Sequence, residues 1–302
     1  MASTPQQRSP APDRGDATGA SRARLATFTP AGCVELFVVA NLAFLSLDIY
    51  LAHSVNHFRD PLEWLPLGFS IAGSVLMIFA WAARAYLDDS AVSRWTGLLV
   101  GWVSVGIGVA GLLLHLNSQF FVQQTLKSLV YTAPFAAPLA YTGLGLLMIL
   151  NRMVEPDSPQ WAGWVLLLTV GGFVGNAVLS LADHAENGFF NWLEWVPVGA
   201  ALFGVTFLAM PLILEVGREY LQVCWVVLLI EAATGVIGFL LHLRADISRG
   251  SGPSWNDFLF GAPVFAPLLF ANLAVLGAIA LWAMNRIARQ TGASQSRAPA
   301  VD

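Results

Sequence analysis

Two apolar segments of the chain end in a histidine that follows a pair of glycines. They read GVAGLLLHL, at 108–116, and GVIGFLLHL, at 235–243. Residues at i, i+3 and i+7 share one face of a helix, so each glycine pair faces the same way as its histidine. The two sets are Gly108, Gly111 and His115, and Gly235, Gly238 and His242. A neutral imidazole is a good ligand for iron or copper, and the glycines could leave room for a flat cofactor. Alternatively, they let a neighbouring helix approach closely, as small residues do in membrane bundles.

The chain repeats itself at three places, in the same order. The matching stretches are AHSVNHFRDPLEWLPLG (52–68) with DHAENGFFNWLEWVPVG (183–199), GVAGLLLHL with GVIGFLLHL, and TAPFAAPLAYTGLG (132–145) with GAPVFAPLLFANLA (261–274). The first match pairs His53 with His184, whereas His57 is opposite Gly188 and is not shared. Matches in one order indicate an internal duplication. The candidate metal ligands are therefore the repeated histidines His53, His115, His184 and His242.

Three carboxylates fall inside apolar segments: Asp48, Asp183 and Glu231. An unpaired carboxylate at the centre of a span costs about 2.5–3.5 kcal/mol on insertion scales. These acids are therefore candidates for carrying a proton or for orienting a histidine through its second nitrogen. With Asn41 and Asn176 nearby, a structural hydrogen-bond network is an equal alternative. A second register pairs Asp48 with Asp183 instead of His53 with His184, and the sequence leaves both registers open.

Four further acids lie toward the ends of the apolar segments. Glu63 and Glu194 each open a helix in the pattern Glu-Trp-x-Pro, where a carboxylate interacts well with the N-terminal helix dipole. They are also candidates for carrying a proton or for orienting a histidine. Glu35 and Glu215 lie nearer the opposite end and are expected to reach water. The sequence contains no nucleophile motif, phosphate-binding glycine loop or HExxH pattern, so hydrolase and nucleotide-driven functions have no support.

Composition indicates which elements must position these residues. With 56% hydrophobic and 11% charged residues and a mean hydropathy of +0.65, the chain is a membrane protein. Lipid offers no partner to unpaired backbone groups, so its spans must be helices. Eight segments reach the roughly 20 apolar residues that a span needs: 31–53, 66–87, 96–116, 130–151, 160–183, 195–215, 220–243 and 260–285. We predict an all-α integral membrane protein made of two four-helix repeats with the same orientation.

The basic residues predict the orientation in the membrane. All but four of the 15 Lys and Arg residues lie on the side that holds both termini, so both termini should be cytoplasmic and the histidines extracytoplasmic. The predicted organisation is a disordered tail at 1–30, repeat 1 at 31–152, repeat 2 at 160–286 and a disordered tail at 287–302. We expect a multi-pass protein of a bacterial cytoplasmic membrane. The net charge of −4 and the lack of a basic run argue against nucleic-acid partners.

The segments GVAGLLLH and GVIGFLLH resemble the haem-binding helices of membrane b-type cytochromes, in which histidine pairs hold haem and glycine makes room for the ring. The resemblance covers only these two short stretches. It implies haem b, or otherwise copper or iron, held by His53 with His115 and by His184 with His242. It also implies electron exchange between a quinone and an extracytoplasmic redox partner.

Two other functions are compatible with the same residues. In a proton- or cation-coupled transporter, the intramembrane acids and histidines would line a polar path. In a structural subunit of a membrane complex, the repeated outer loops would dock another protein. Whether the chain is an enzyme, and its oligomeric state, stay open at this point.

Overall fold

The computed structural model describes residues 29–86, 90–156, 158–248 and 261–295. Within those ranges the chain is helical and contains no strand. The eight long helices, labelled α1 to α8, are Pro30–Ser54, Trp64–Tyr86, Ser90–Asn117, Leu139–Met153, Pro159–Glu186, Trp195–Ile213, Arg218–Ile247 and Leu268–Gln295. The tail predicted at 1–30 falls almost wholly outside the described residues. Helix α8 continues into the tail predicted at 287–302, because Ala, Arg and Gln are good helix formers.

Seven helices of the described chain are long and apolar enough to cross a membrane, as in a multi-pass membrane protein. The remaining long helix, α4, is shorter than the span predicted at 130–151. It has 15 residues and therefore rises about 22 Å at 1.5 Å per residue. Helix α8 also begins later than the predicted position 260. In both cases a segment with two prolines precedes the helix.

These proline segments, at 131–138 and 261–267, form a series of tight turns. In each segment, the amide three residues after the first proline donates a hydrogen bond to the carbonyl oxygen of that proline. These bonds run from Ala137 to Pro134 and from Ala266 to Pro263, both at 3.2 Å. Proline has no amide hydrogen and cannot continue the hydrogen-bond ladder of an α-helix. The helices therefore start only after the second proline of each segment.

The helices pack as two closed groups of four. Helix α1 contacts α2, α2 contacts α3, α3 contacts α4 and α4 contacts α1, and the same order of contacts runs from α5 to α8. We call these groups the first and second bundles. They meet where α4 contacts α5 and where α1 contacts α8. At the latter contact, Asn41 and Asn272 exchange side-chain hydrogen bonds of 3.1 and 2.5 Å.

One end of the first bundle is tied together by a buried ionic cluster. Glu35 on α1 is only 4% exposed and accepts hydrogen bonds from Arg84 on α2, at 3.0 Å, and from Arg152 on α4. The prediction that Glu35 reaches water is wrong, because two arginines from other helices take the place of water. Glu215, by contrast, is exposed. We call this end of the bundles the arginine end, and the opposite end, where His53 lies, the histidine end.

Candidate functional site

The two histidines of the first bundle lie close together at the ends of α1 and α3, which are not adjacent in the order of helix contacts described above. His53 is in the last turn of α1 and His115 in the last turn of α3. Their ring centroids are 6.3 Å apart and their planes are inclined by 68°. In the second bundle, His184 in the last turn of α5 lies close enough to His242 on α7 to interact with it electrostatically. The structure thus brings His53 and His115 together and places His184 and His242 within electrostatic range of each other.

The proline turns orient one histidine of each pair. Nδ1 of His115 lies 2.8 Å from the carbonyl oxygen of Pro134, and Nδ1 of His242 lies 3.0 Å from that of Pro263. Because a carbonyl oxygen only accepts hydrogen bonds, Nδ1 carries the proton and donates it in both contacts. Nε2 therefore keeps its lone pair, which is the form in which a neutral imidazole ligates a metal.

A glutamate faces the other histidine of each pair. Nδ1 of His53 lies 3.6 Å from Oε2 of Glu63, and Nδ1 of His184 lies 3.7 Å from Oε2 of Glu194. Both Oε2 atoms are buried and have no hydrogen-bond partner among the described residues, whereas Oε1 of Glu63 accepts from Asn56 at 2.8 Å. A proton on the facing Nδ1 is the donor that would satisfy this oxygen, and it again leaves Nε2 free. These glutamates therefore lie beside histidines, besides opening helices.

Equivalent turns hold the two glutamates in place. Each glutamate ends a short 3₁₀ helix, Pro61–Glu63 or Trp192–Glu194. The caps of these helices are Asp60 and Asn191, whose side-chain oxygens accept from the amide two residues further on at 2.9 and 3.0 Å. Aspartate and asparagine both make this local bond. The position and depth of the carboxylates are therefore set by the same backbone geometry in both bundles.

The loop between histidine and glutamate folds the same way in both bundles. Phe58 stacks on Trp64 with ring centroids 4.2 Å apart, and Phe189 stacks on Trp195 at 3.9 Å. Both phenylalanines have a positive φ, and so do the residues before them, His57 at 61° and Gly188 at 79°. These matches favour the register that pairs His53 with His184. His57 is exposed and lies in a backbone conformation that glycine adopts more readily.

The glycines predicted to clear a slot for a cofactor instead pack against the following helix. A Cβ on Gly108 would lie 2.6 Å from the amide nitrogen of Thr142, and one on Gly111 would lie 2.8 Å from Cβ of Pro138. Gly235 and Gly238 have equivalent neighbours, Ala271 at 2.7 Å and Pro267 at 2.8 Å. The cofactor role expected for these glycines is therefore corrected: backbone and proline atoms fill the space that a ring would need, and the helix-packing interpretation describes the contacts.

The acids within the spans have different surroundings. Asp48 lies near Tyr141, and Asp183 borders a cavity of about 40 Å³ between α5 and the turn before α4. Glu231 is fully buried against Gly204, and neither of its oxygens has a hydrogen-bond partner in the described part of the chain. Among the described residues, no three His, Cys, Asp or Glu side chains are placed to hold one metal ion. Any metal at a histidine pair would take its remaining ligands from solvent or a partner.

Comparison with known proteins gives no family, curated relative or solved structure that matches this chain. Function must therefore be argued from the geometry of the histidine end. That geometry consists of two histidine pairs, each with one imidazole held by a carbonyl oxygen and the other faced by a carboxylate.

Proposed function

We propose that this membrane protein binds a transition-metal ion at each histidine pair. The observation that carries the proposal is that Nδ1 of His115 and of His242 donates to a carbonyl oxygen, which leaves Nε2 to bind a metal. In each pair, Nδ1 of the other histidine faces a carboxylate oxygen, at 3.6 Å for His53 and 3.7 Å for His184. Histidine ligands in metal sites almost always use their second nitrogen in this way, with a carboxylate or a backbone carbonyl as the partner. Both kinds of partner are present in each bundle.

Copper is the metal that this ligand set suits best. Imidazole binds copper, zinc and iron, and the affinity of such sites for divalent metals peaks at Cu²⁺. With two protein ligands, geometry provides little selection, so intrinsic affinity decides. The side chains of His53 and His184 are 21% and 20% exposed, which leaves the sites open to exchange with the aqueous phase. Haem does not fit beside the glycines, because α4 and α8 occupy that space.

The orientation in the membrane follows from the basic residues. We infer eight spans, with α4 completed by the turn segment at 131–138, and both termini in the cytoplasm. The equivalent helix contacts and loops support two duplicated bundles with the same orientation. The metal sites then face the extracytoplasmic side, where copper changing oxidation state could exchange electrons with a partner.

The test is metal stoichiometry of the purified full chain. After loading with Cu²⁺ and removal of excess metal, elemental analysis should find two ions per chain. His115→Ala and His242→Ala should each remove one ion, and the double variant should remove both. His57→Ala is the matched control and should keep two. Equal copper content in the wild type and the double variant would rule the proposal out.

A second candidate, proton-coupled transport, is favoured by Glu231 alone. A fully buried carboxyl group without a partner is costly in a membrane, and such groups mark proton paths in pumps and transporters. In proteoliposomes with a pH difference across the membrane, the wild-type chain should carry a proton flux. Glu231→Gln should abolish this flux, while Glu215→Gln, at an exposed position, should not. A wild-type chain with no flux above that of empty vesicles would remove this candidate.

A further inference from the structure

A cleft with basic walls opens between α7 and α8 at the arginine end. Its volume is about 220 Å³. It is lined by Arg218, Leu221, Gln222 and Trp225 of α7 and by Asn285 and Arg289 of α8. No acidic side chain lines it, so its electrostatic character is set by the two arginines.

The polar side chains of this cleft have no partner in the part of the chain that the structure describes. Arg218, Gln222, Asn285 and Arg289 make no side-chain hydrogen bond or ion pair among the described residues. Guanidinium groups bind phosphate oxygens through two parallel N–H bonds, and amide side chains add further donors. The N-terminus of α7 also attracts an anion, because Gly217 at the N-cap has no side chain that accepts hydrogen bonds from the first amides of the helix.

The depth of the cleft matches the headgroup layer of a bilayer. Arg218 and His242 are both on α7 and are separated by 24 residues, which is about 36 Å along a helix. The hydrocarbon core is about 30 Å thick, and the bilayer with its headgroups about 40–45 Å. If His242 lies at one interface, Arg218 lies at the other. Trp225 is 39% exposed on the same wall, as expected for an aromatic residue at an interface.

The equivalent positions of α3 in the first bundle show that packing does not require the charge of Arg218. Matching His242 to His115 places Ala91 and Trp95 opposite Arg218 and Gln222. Both arginines are exposed and belong to the second bundle only. Their pairing across one cleft therefore calls for a ligand rather than a role in folding.

We propose that this cleft binds the phosphate headgroup of an anionic phospholipid of the phosphatidylglycerol type. Basic pockets between membrane helices bind such headgroups, and the glycerol and acyl chains would continue past Leu221 and Trp225 toward the hydrocarbon core. The phosphate chemistry alone would also suit free inorganic phosphate. The level of the cleft at the interface and its apolar wall favour the lipid.

Native mass spectrometry of the detergent-purified full chain tests this proposal without any metal. Titration with phosphatidylglycerol should give a saturable one-lipid adduct at a lower lipid concentration than titration with phosphatidylcholine. Arg289→Gln should raise the phosphatidylglycerol concentration at which the adduct forms by about fivefold, and the double variant Arg218→Gln with Arg289→Gln should raise it by about 25-fold, because each interfacial arginine contributes about one factor of five to the affinity for an anionic lipid. Arg94→Gln, an exposed arginine at the same end, is the matched control and should change nothing.

Three outcomes would overturn the assignment. Equal affinity for phosphatidylglycerol and phosphatidylcholine would show that the cleft does not select lipids by the charge of the headgroup. An unchanged preference in Arg289→Gln, whose residue is exposed and whose loss should not affect folding, would show that the preference arises elsewhere. Displacement of the lipid adduct by millimolar inorganic phosphate would assign the cleft to the free anion instead.

Discussion

Nδ1 of His115 donates a hydrogen bond to the carbonyl oxygen of Pro134 across 2.8 Å. This bond joins the end of α3 to the turn before α4 and fixes which ring nitrogen is free. His242 and Pro263 make the same bond at 3.0 Å in the second bundle. The proline turns, which shorten α4 and delay α8, therefore also leave Nε2 of this histidine with its lone pair.

If the proposed metal sites exist, removing the carboxylate that faces His53 should weaken only the site of the first bundle. Glu63→Gln loses the charge that stabilises the Nδ1–H form of His53, and changes in such partners typically cost 10- to 100-fold in metal affinity. Copper titrations monitored by competition with a chelator should show one weakened and one unchanged site. Glu194→Gln should give the same result for the other site, and Glu155→Gln, at an exposed position, should affect neither.

Adding a methyl group at Gly108 should destabilise the protein. The new Cβ would meet the amide nitrogen of Thr142 at 2.6 Å, and overpacking of this kind typically costs about 1–3 kcal/mol. Gly143→Ala is the control, because nothing lies within 4 Å of its Cβ position. Thermal melts in detergent should separate the two variants. Equal melting temperatures would mean that Gly108 is not a packing residue.

Removing Arg152 from the cluster around Glu35 should destabilise the protein much more than removing Arg84. The side chain of Arg152 is 6% exposed and that of Arg84 is 51% exposed. Arg152→Leu leaves a buried carboxylate short of its main partner, which typically costs about 3–5 kcal/mol, whereas Arg84→Gln should cost about 0–1 kcal/mol. Denaturant unfolding of the detergent-solubilised protein should show this order, and the reverse order would contradict the burial of the cluster.

Replacing Glu231 with leucine should stabilise the second bundle. The carboxyl group is fully buried and unpartnered among the described residues, and an unsatisfied buried polar group typically costs about 1–3 kcal/mol. Leucine has a similar size and needs no hydrogen bond. The melting temperature of Glu231→Leu should therefore rise, while that of Glu215→Leu should stay the same. A fall in Glu231→Leu would show that the carboxyl group has a partner after all.

Much of the candidate site could be predicted from residue types alone. The repeated histidines and glutamates stood out because both copies keep the same residues at the same spacing, and the rings of His53 and His115 lie 6.3 Å apart. The carbonyl oxygens of Pro134 and Pro263 could not be predicted as partners, because a backbone acceptor leaves no mark in the residue type. The shared Ala-Pro-x2-Ala-Pro pattern was the only available signal.

By itself, the sequence determined the apolar helices, their approximate limits and the end of the molecule at which the histidines gather. Those properties depend on local composition, since a span must satisfy its own backbone within one helix. Only the tertiary structure decided what the glycines face, that Glu35 is buried with two arginines, and which nitrogen of each histidine is free. These properties depend on side-chain contacts between helices that are far apart in the chain. A small change in the distance between two helices decides whether the space beside a glycine is open or filled.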